Sequence, residues 1–69
     1  MPFSEPTLQM ARRHVAEGSA RVEKQAELVR RLRAHGFDTG ESEQVLESLE
    51  GMLAAMRSDL LRREANAGS

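Results

Sequence analysis

The sequence predicts an all-α chain. Two helices fold antiparallel about one short corner as a coiled-coil-like hairpin, and two hairpins pair into a four-helix bundle. Three observations predict this. Apolar and small residues recur in alternating steps of three and four along both halves of the chain. One convincing break separates the halves, Gly36-Phe37-Asp38-Thr39-Gly40-Glu41. Folding the halves about that break sets Val29 opposite Leu46, Val22 opposite Leu53 and Val15 opposite Leu60, each pair of numbers summing to 75.

The first helix is expected over about residues 5–35. Ser4 can cap its exposed N–H groups, and Pro6 is tolerated in the first turn, where its missing N–H has no helical partner. With Ser4 as cap, Phe3 and Leu8 have the spacing of a hydrophobic staple; Thr7 is the alternative cap. The seam runs Leu8, Ala11, Val15, Gly18, Val22, Gln25, Val29, Leu32, Gly36. Leu8, Val15, Val22 and Val29 form a large layer, and Ala11, Gly18, Gln25 and Leu32 a mostly small or polar one. Glu17 with Arg21 and Glu27 with Arg31 are i, i+4 pairs in the favourable order. Gln25 either forms a polar layer that fixes register or reaches out of the seam edge.

The corner spans residues 36–40. Arg30, Arg31, Arg33 and His35 suit the negative end of the first helix, and Gly36 supplies the left-handed residue that stops it. Asp38 caps the second helix, with Glu41 completing a capping box, and Phe37 is expected to turn inward and plug the hairpin end. The second helix is expected over about 39–64, with residues 65–69 a fraying tail. Its seam is Leu46, Leu49, Leu53, Met56 and Leu60. Val45 and Met52 widen that seam on one flank and Leu61 on the other, to roughly half the helix circumference. Gly51 falls outside the stripe, and close packing by a neighbour is the one reason the sequence offers for it.

Sixty-nine residues make one domain, with a core too small to be more than marginal alone. One partner helix cannot cover the second helix's apolar width, so a twofold dimer is expected, with Val45, Leu49, Met52 and Met56 at its interface. The formal charge is −1 but unevenly spread. Residues 1–36 hold seven Lys/Arg against four acids, a net of +3; residues 37–69 hold three against seven, a net of −4. Two antiparallel helices of opposite charge complement each other. A basic first helix also suits an acidic partner such as RNA or DNA, through Arg13, Arg21, Lys24 and Arg31 on its outer face.

Other classes are poorly served. There is no cysteine, hence no disulfide framework and no thiolate metal site. His14 and His35 stand about 30 Å apart along a helix and cannot share a metal within one chain. With Phe3 and Phe37 the only aromatics, there is no stacking platform or aromatic pocket. Glu41, Glu43, Glu47 and Glu50 complement a helix N-terminus better than they make a cation site. No phosphate-binding glycine loop or nucleophile–base pair is present, so no enzymatic activity and no cofactor are expected. The longest apolar run, Met52 to Met56, is far short of a membrane span, and the N-terminus lacks a signal-peptide pattern, so a cytoplasmic location is expected.

Met10 through Gly18, then Arg21-Val22, Gln25, Leu28-Val29, Arg31-Leu32-Arg33, Gly36, Asp38-Thr39 and Glu43 through Leu46 to Leu49 carry a resemblance. Over about residues 8–62 the pattern is similar to a set of short bacterial helical-hairpin proteins, chiefly alphaproteobacterial, that have no assigned activity. The resemblance implies a bacterial intracellular hairpin and adds no catalytic residue. In architecture alone the chain also resembles the small dimeric hairpin that binds paired RNA loops in plasmid copy control. The expected role is that of a homodimeric, non-enzymatic protein–protein interaction module, with nucleic-acid binding through the basic face as the alternative.

Overall fold

The computed structural model describes residues 7–67. Two α-helices, α1 (Leu8–Ala34) and α2 (Gly40–Ala67), pack side by side and antiparallel. The chain measures 51 × 28 × 14 Å, so the hairpin is one helix thick. Each helix therefore has one covered side and three uncovered ones.

α1 begins where Thr7 can serve it. The Thr7 hydroxyl accepts from the Met10 N–H at 3.2 Å and the Thr7 carbonyl accepts from the Ala11 N–H at 2.9 Å, which makes Thr7 the N-cap. The expected Ser4 cap, Pro6 and the Phe3 half of the staple lie outside the described residues. α1 ends in a complete Schellman motif. Gly36 adopts φ +78°, its N–H donates to the Arg33 carbonyl at 3.1 Å, and the Phe37 N–H donates to the Leu32 carbonyl at 2.9 Å. A side chain at Gly36 would be strained by that φ alone, since nothing lies within 4 Å of where its Cβ would be.

Three expectations about the corner and tail are corrected. The cap of α2 lies one residue later than expected: the Thr39 carbonyl accepts from the Glu43 N–H at 2.8 Å. Asp38 Oδ1 instead accepts from the Gly40 N–H at 3.0 Å, an Asx turn that leads into the cap. Phe37 does not plug the hairpin end but is 63% exposed, because a layer one helix thick encloses nothing there to receive it. Ala65, Asn66 and Ala67 continue α2 past its expected end near 64, as the helix preference of alanine favours, and residues 68–69 of the expected tail lie outside the described residues.

The seam follows the heptad spacing. Ala11, Gly18 and Val29 are buried and Leu8, Val15, Val22, Gln25 and Leu32 half-buried; only Gly36 of the expected positions is exposed. On α2, Leu53 is buried and Leu46, Leu49, Met56 and Leu60 half-buried. The small layer lies deeper than the large one. A Cβ on Gly18 would stand 2.5 Å from Met56 Cε and 3.3 Å from Leu53 Cδ1, so the missing side chain is what admits these two. Gln25 is part-buried, and its Nε2 donates to the Ser42 carbonyl at 2.9 Å, tying the helices together near the corner. Gly51 has nothing within 4 Å of its Cβ position, so no neighbour within the chain explains it.

Two ion pairs cross between the helices in the register that the seam sets. Arg12 Nη2 lies 3.2 Å from Glu64 Oε2 near the open end, and Arg33 pairs with Glu43 near the corner. The numbers sum to 76 in both cases, one from the value that the seam predicts. In each, α1 contributes the base and α2 the acid, as the charge asymmetry anticipates. The expected pairs within α1, Glu17 with Arg21 and Glu27 with Arg31, are not among the ion pairs of the described residues.

Candidate interaction surfaces

Two flanks run the length of the hairpin beside the seam, one on each face. Arg12 and Arg33 stand three heptads apart on α1, and Glu43 and Glu64 three heptads apart on α2, so both cross-helix ion pairs belong to one flank. Leu61, 67% exposed, lies on this side, three residues before Glu64.

The other flank is located by a groove of about 220 Å³ lined by Ala11, His14, Ala55, Met56 and Asp59. Because His14 and Asp59 share it, residues one and two heptads from them share the same flank: Arg21 and Leu28 on α1, Met52 and Val45 on α2. Met10, one turn before His14, extends it. Four apolar side chains stand in water here, Met10 at 43%, Leu28 at 36%, Val45 at 49% and Met52 at 57%. Half-buried Leu49 and Met56 connect this row to the seam. No cross-helix ion pair closes this flank among the described residues.

Val45, Leu49, Met52 and Met56, the four residues expected at a dimer interface, thus fall on one side of α2. Sequence reasoning missed Met10 and Leu28. Their signal was available: each immediately precedes a seam residue, Ala11 and Val29, on the same side of the helix.

Asp59 has a displaced titration. The hydrogen bond from Arg63, donated by Nε at 2.7 Å, holds its carboxyl below the usual carboxylate range. Arg62, at 3.2 Å, adds to this, and partial burial opposes it. The groove beside it is smaller than the roughly 300 Å³ at which small-molecule pockets begin. His14 and Asp59 are its only titratable lining groups, and no cluster of three metal-ligating side chains occurs among the described residues.

Arg13, Arg21, Lys24 and Arg31 are all exposed, and none forms an ion pair among the described residues. At about 100° per residue Arg13, Lys24 and Arg31 align on one stripe about 27 Å long, with Arg21 set toward the seam and Glu17 inside the stripe. Of the acidic residues opening α2, Glu43 is engaged by Arg33. Neither described helix is long and apolar enough to cross a membrane.

Scans against models of known protein families, curated proteins and solved structures each give no match. The two flanks therefore carry the functional argument.

Proposed function

We propose that the chain is a non-enzymatic interaction module whose working form is a homodimer, two hairpins joined through Val45, Leu49, Met52 and Met56 into a four-helix bundle. The observation that carries this is a mismatch between core and surface. Inside the hairpin only Ala11, Val29 and Leu53 among the described hydrophobic residues are buried. Meanwhile Met10, Leu28, Val45 and Met52 stand exposed along a single flank. Covering a valine, leucine or methionine fully contributes about 1.5–3 kcal/mol, and a one-layer hairpin has no other place to bury them. Met52 and Met56 also give the flank the unbranched, adaptable side chains that suit helix-to-helix contact. Sedimentation equilibrium at micromolar concentration should return twice the 7.7 kDa chain mass; a folded monomer would overturn the proposal.

A second reading rests on the basic stripe. Arg13, Lys24 and Arg31, with Arg21 beside them, could track the phosphates of an RNA or DNA without any aromatic residue. Mobility shift of total cellular RNA at low salt, lost at high salt, is its expected signature. No shift at low salt removes it.

A further inference from the structure

We infer, resting on the dimer reading above, that the two hairpins associate with their corners at the same end, α1 of each lying over α2 of the other. A twofold dimer through the apolar flank has two arrangements. With the axis along the helices, corners meet corners and α1 faces the partner's α2. With the axis across the helices, corners point to opposite ends and α1 faces the partner's α1.

The flank is graded along its length. In the half nearer the corner it carries Leu28 on α1 and Val45, Leu49 and Met52 on α2. In the open half Met10 and Met56 are joined by three ionisable residues, His14, Asp59 and Arg63, with Asp59 bound by two arginines. The antiparallel register sets Leu28 level with Val45 and His14 level with Asp59. Same-end association lays the apolar half on the apolar half, with Leu28 over the partner's Val45. Opposite-end association lays Leu28 over the partner's His14 and Val45 over the partner's Asp59. That exchange buries a carboxylate against an aliphatic side chain, which is costly unless the charge finds new partners.

Charge favours the same arrangement. On this side α1 presents Arg13, Arg21, Lys24 and Arg31 against Glu17, whereas α2 presents Glu41 and Asp59 against Arg63. Same-end packing sets Arg31 level with the partner's Glu41 and His14 level with the partner's Asp59. Opposite-end packing brings Arg21, the middle residue of α1, over the partner's Arg21. Its one gain, Glu41 against the partner's Arg63, draws on a guanidinium already bound to Asp59.

The absence of cysteine makes the test direct. Phe37→Cys at the corner and Ala65→Cys near the open end, both exposed, each take one nitroxide label for pulsed dipolar distance measurement. Circular dichroism and sedimentation on the labelled protein check fold and mass. Same-end association predicts a distance under about 25 Å at both positions, two adjacent helix diameters plus the labels. Opposite-end association separates the labels by the hairpin length, on the order of 40 Å or more. The long distance at both positions, or both distances in one sample, overturns the inference while leaving the dimer standing. A monomer mass with no dipolar signal overturns the dimer reading beneath it.

Discussion

The two flanks of the hairpin are built from the same two helices, yet they are finished differently. One is fastened at both ends by Arg12 with Glu64 and Arg33 with Glu43. The other carries Met10, Leu28, Val45 and Met52 exposed in a row. The fastened flank carries charges paired across the helices and leaves water as a suitable neighbour. The apolar flank adds nothing to pairing within the chain and gains only if something covers it. A hairpin this thin finishes its two faces unlike, one with paired charges and one with an uncovered apolar row.

The largest effect tests the seam that both flanks share. Leu53 is 5% exposed and faces Gly18, so Leu53→Asp places an unpaired carboxylate in a buried part of the seam. We expect loss of helicity at 25 °C by circular dichroism. A variant that keeps wild-type helicity would mean that the seam does not hold the fold. The flanks themselves are compared by Met52→Asp and Leu61→Asp, two exposed apolar residues on opposite sides of α2. Met52→Asp should keep its helix content when saturating but weaken self-association at least about tenfold, the effect of roughly 1.4 kcal/mol. Leu61→Asp should leave the association constant within about twofold. Equal effects in sedimentation would erase the distinction between the flanks.

The seam and the register were legible in the sequence because both follow from helix geometry. A three-four spacing places Leu8 through Leu32 on one face whatever the surroundings, and the corner fixes which numbers sum to 75. The ion pairs were half legible. A sum of 75 sets Arg12 and Arg33 one residue away from their partners Glu64 and Glu43, whereas spacing within one helix points to Glu17 with Arg21. The cross-helix pairs form because the packed seam already holds their backbones. Phe37 was misread because its position after Gly36 is common to helices that end against a core and helices that end in water. Only the thickness of the whole molecule decides between them. The apolar flank was read on α2 alone, where Val45 and Met52 widen an obvious stripe. On α1, Met10 and Leu28 are interspersed with His14, Glu17, Arg21 and Lys24, and the pattern reads as polar.

Gly51 sharpens the comparison from a third side. It lies mid-helix on α2, exposed, with a negative φ and open space around its Cβ position. Gly51→Ala should stabilise the chain by about 1 kcal/mol in urea unfolding, from helix propensity alone, with self-association unchanged. A loss of stability or of association would place a partner against the outer face of α2, away from both flanks.

The smallest effect concerns Asp59, the charged group in the groove of the apolar flank. Its carboxyl is held below the ordinary range, first by the hydrogen bond from Arg63. In the unfolded chain it titrates near the usual value of about 3.9. Between the two values the unfolded chain binds a proton that the folded chain does not, so stability rises with pH across that window. The contribution is complete above the unfolded value and is lost as pH falls through the folded one. The side chain is 40% exposed, Arg63 is only half-buried and Arg62 is in water, so the effect is small and weakens with salt. Urea midpoints measured from about pH 5 down to about pH 2 should fall less steeply for Asp59→Asn than for the parent chain. The Arg33→Ala variant, altered on the fastened flank, should keep the Asp59 component of the slope. An identical acid limb in the parent and Asp59→Asn would show that the Arg63 hydrogen bond does not persist in solution. Asp59 would still be ionised at neutral pH, so laying Val45 against it would remain costly.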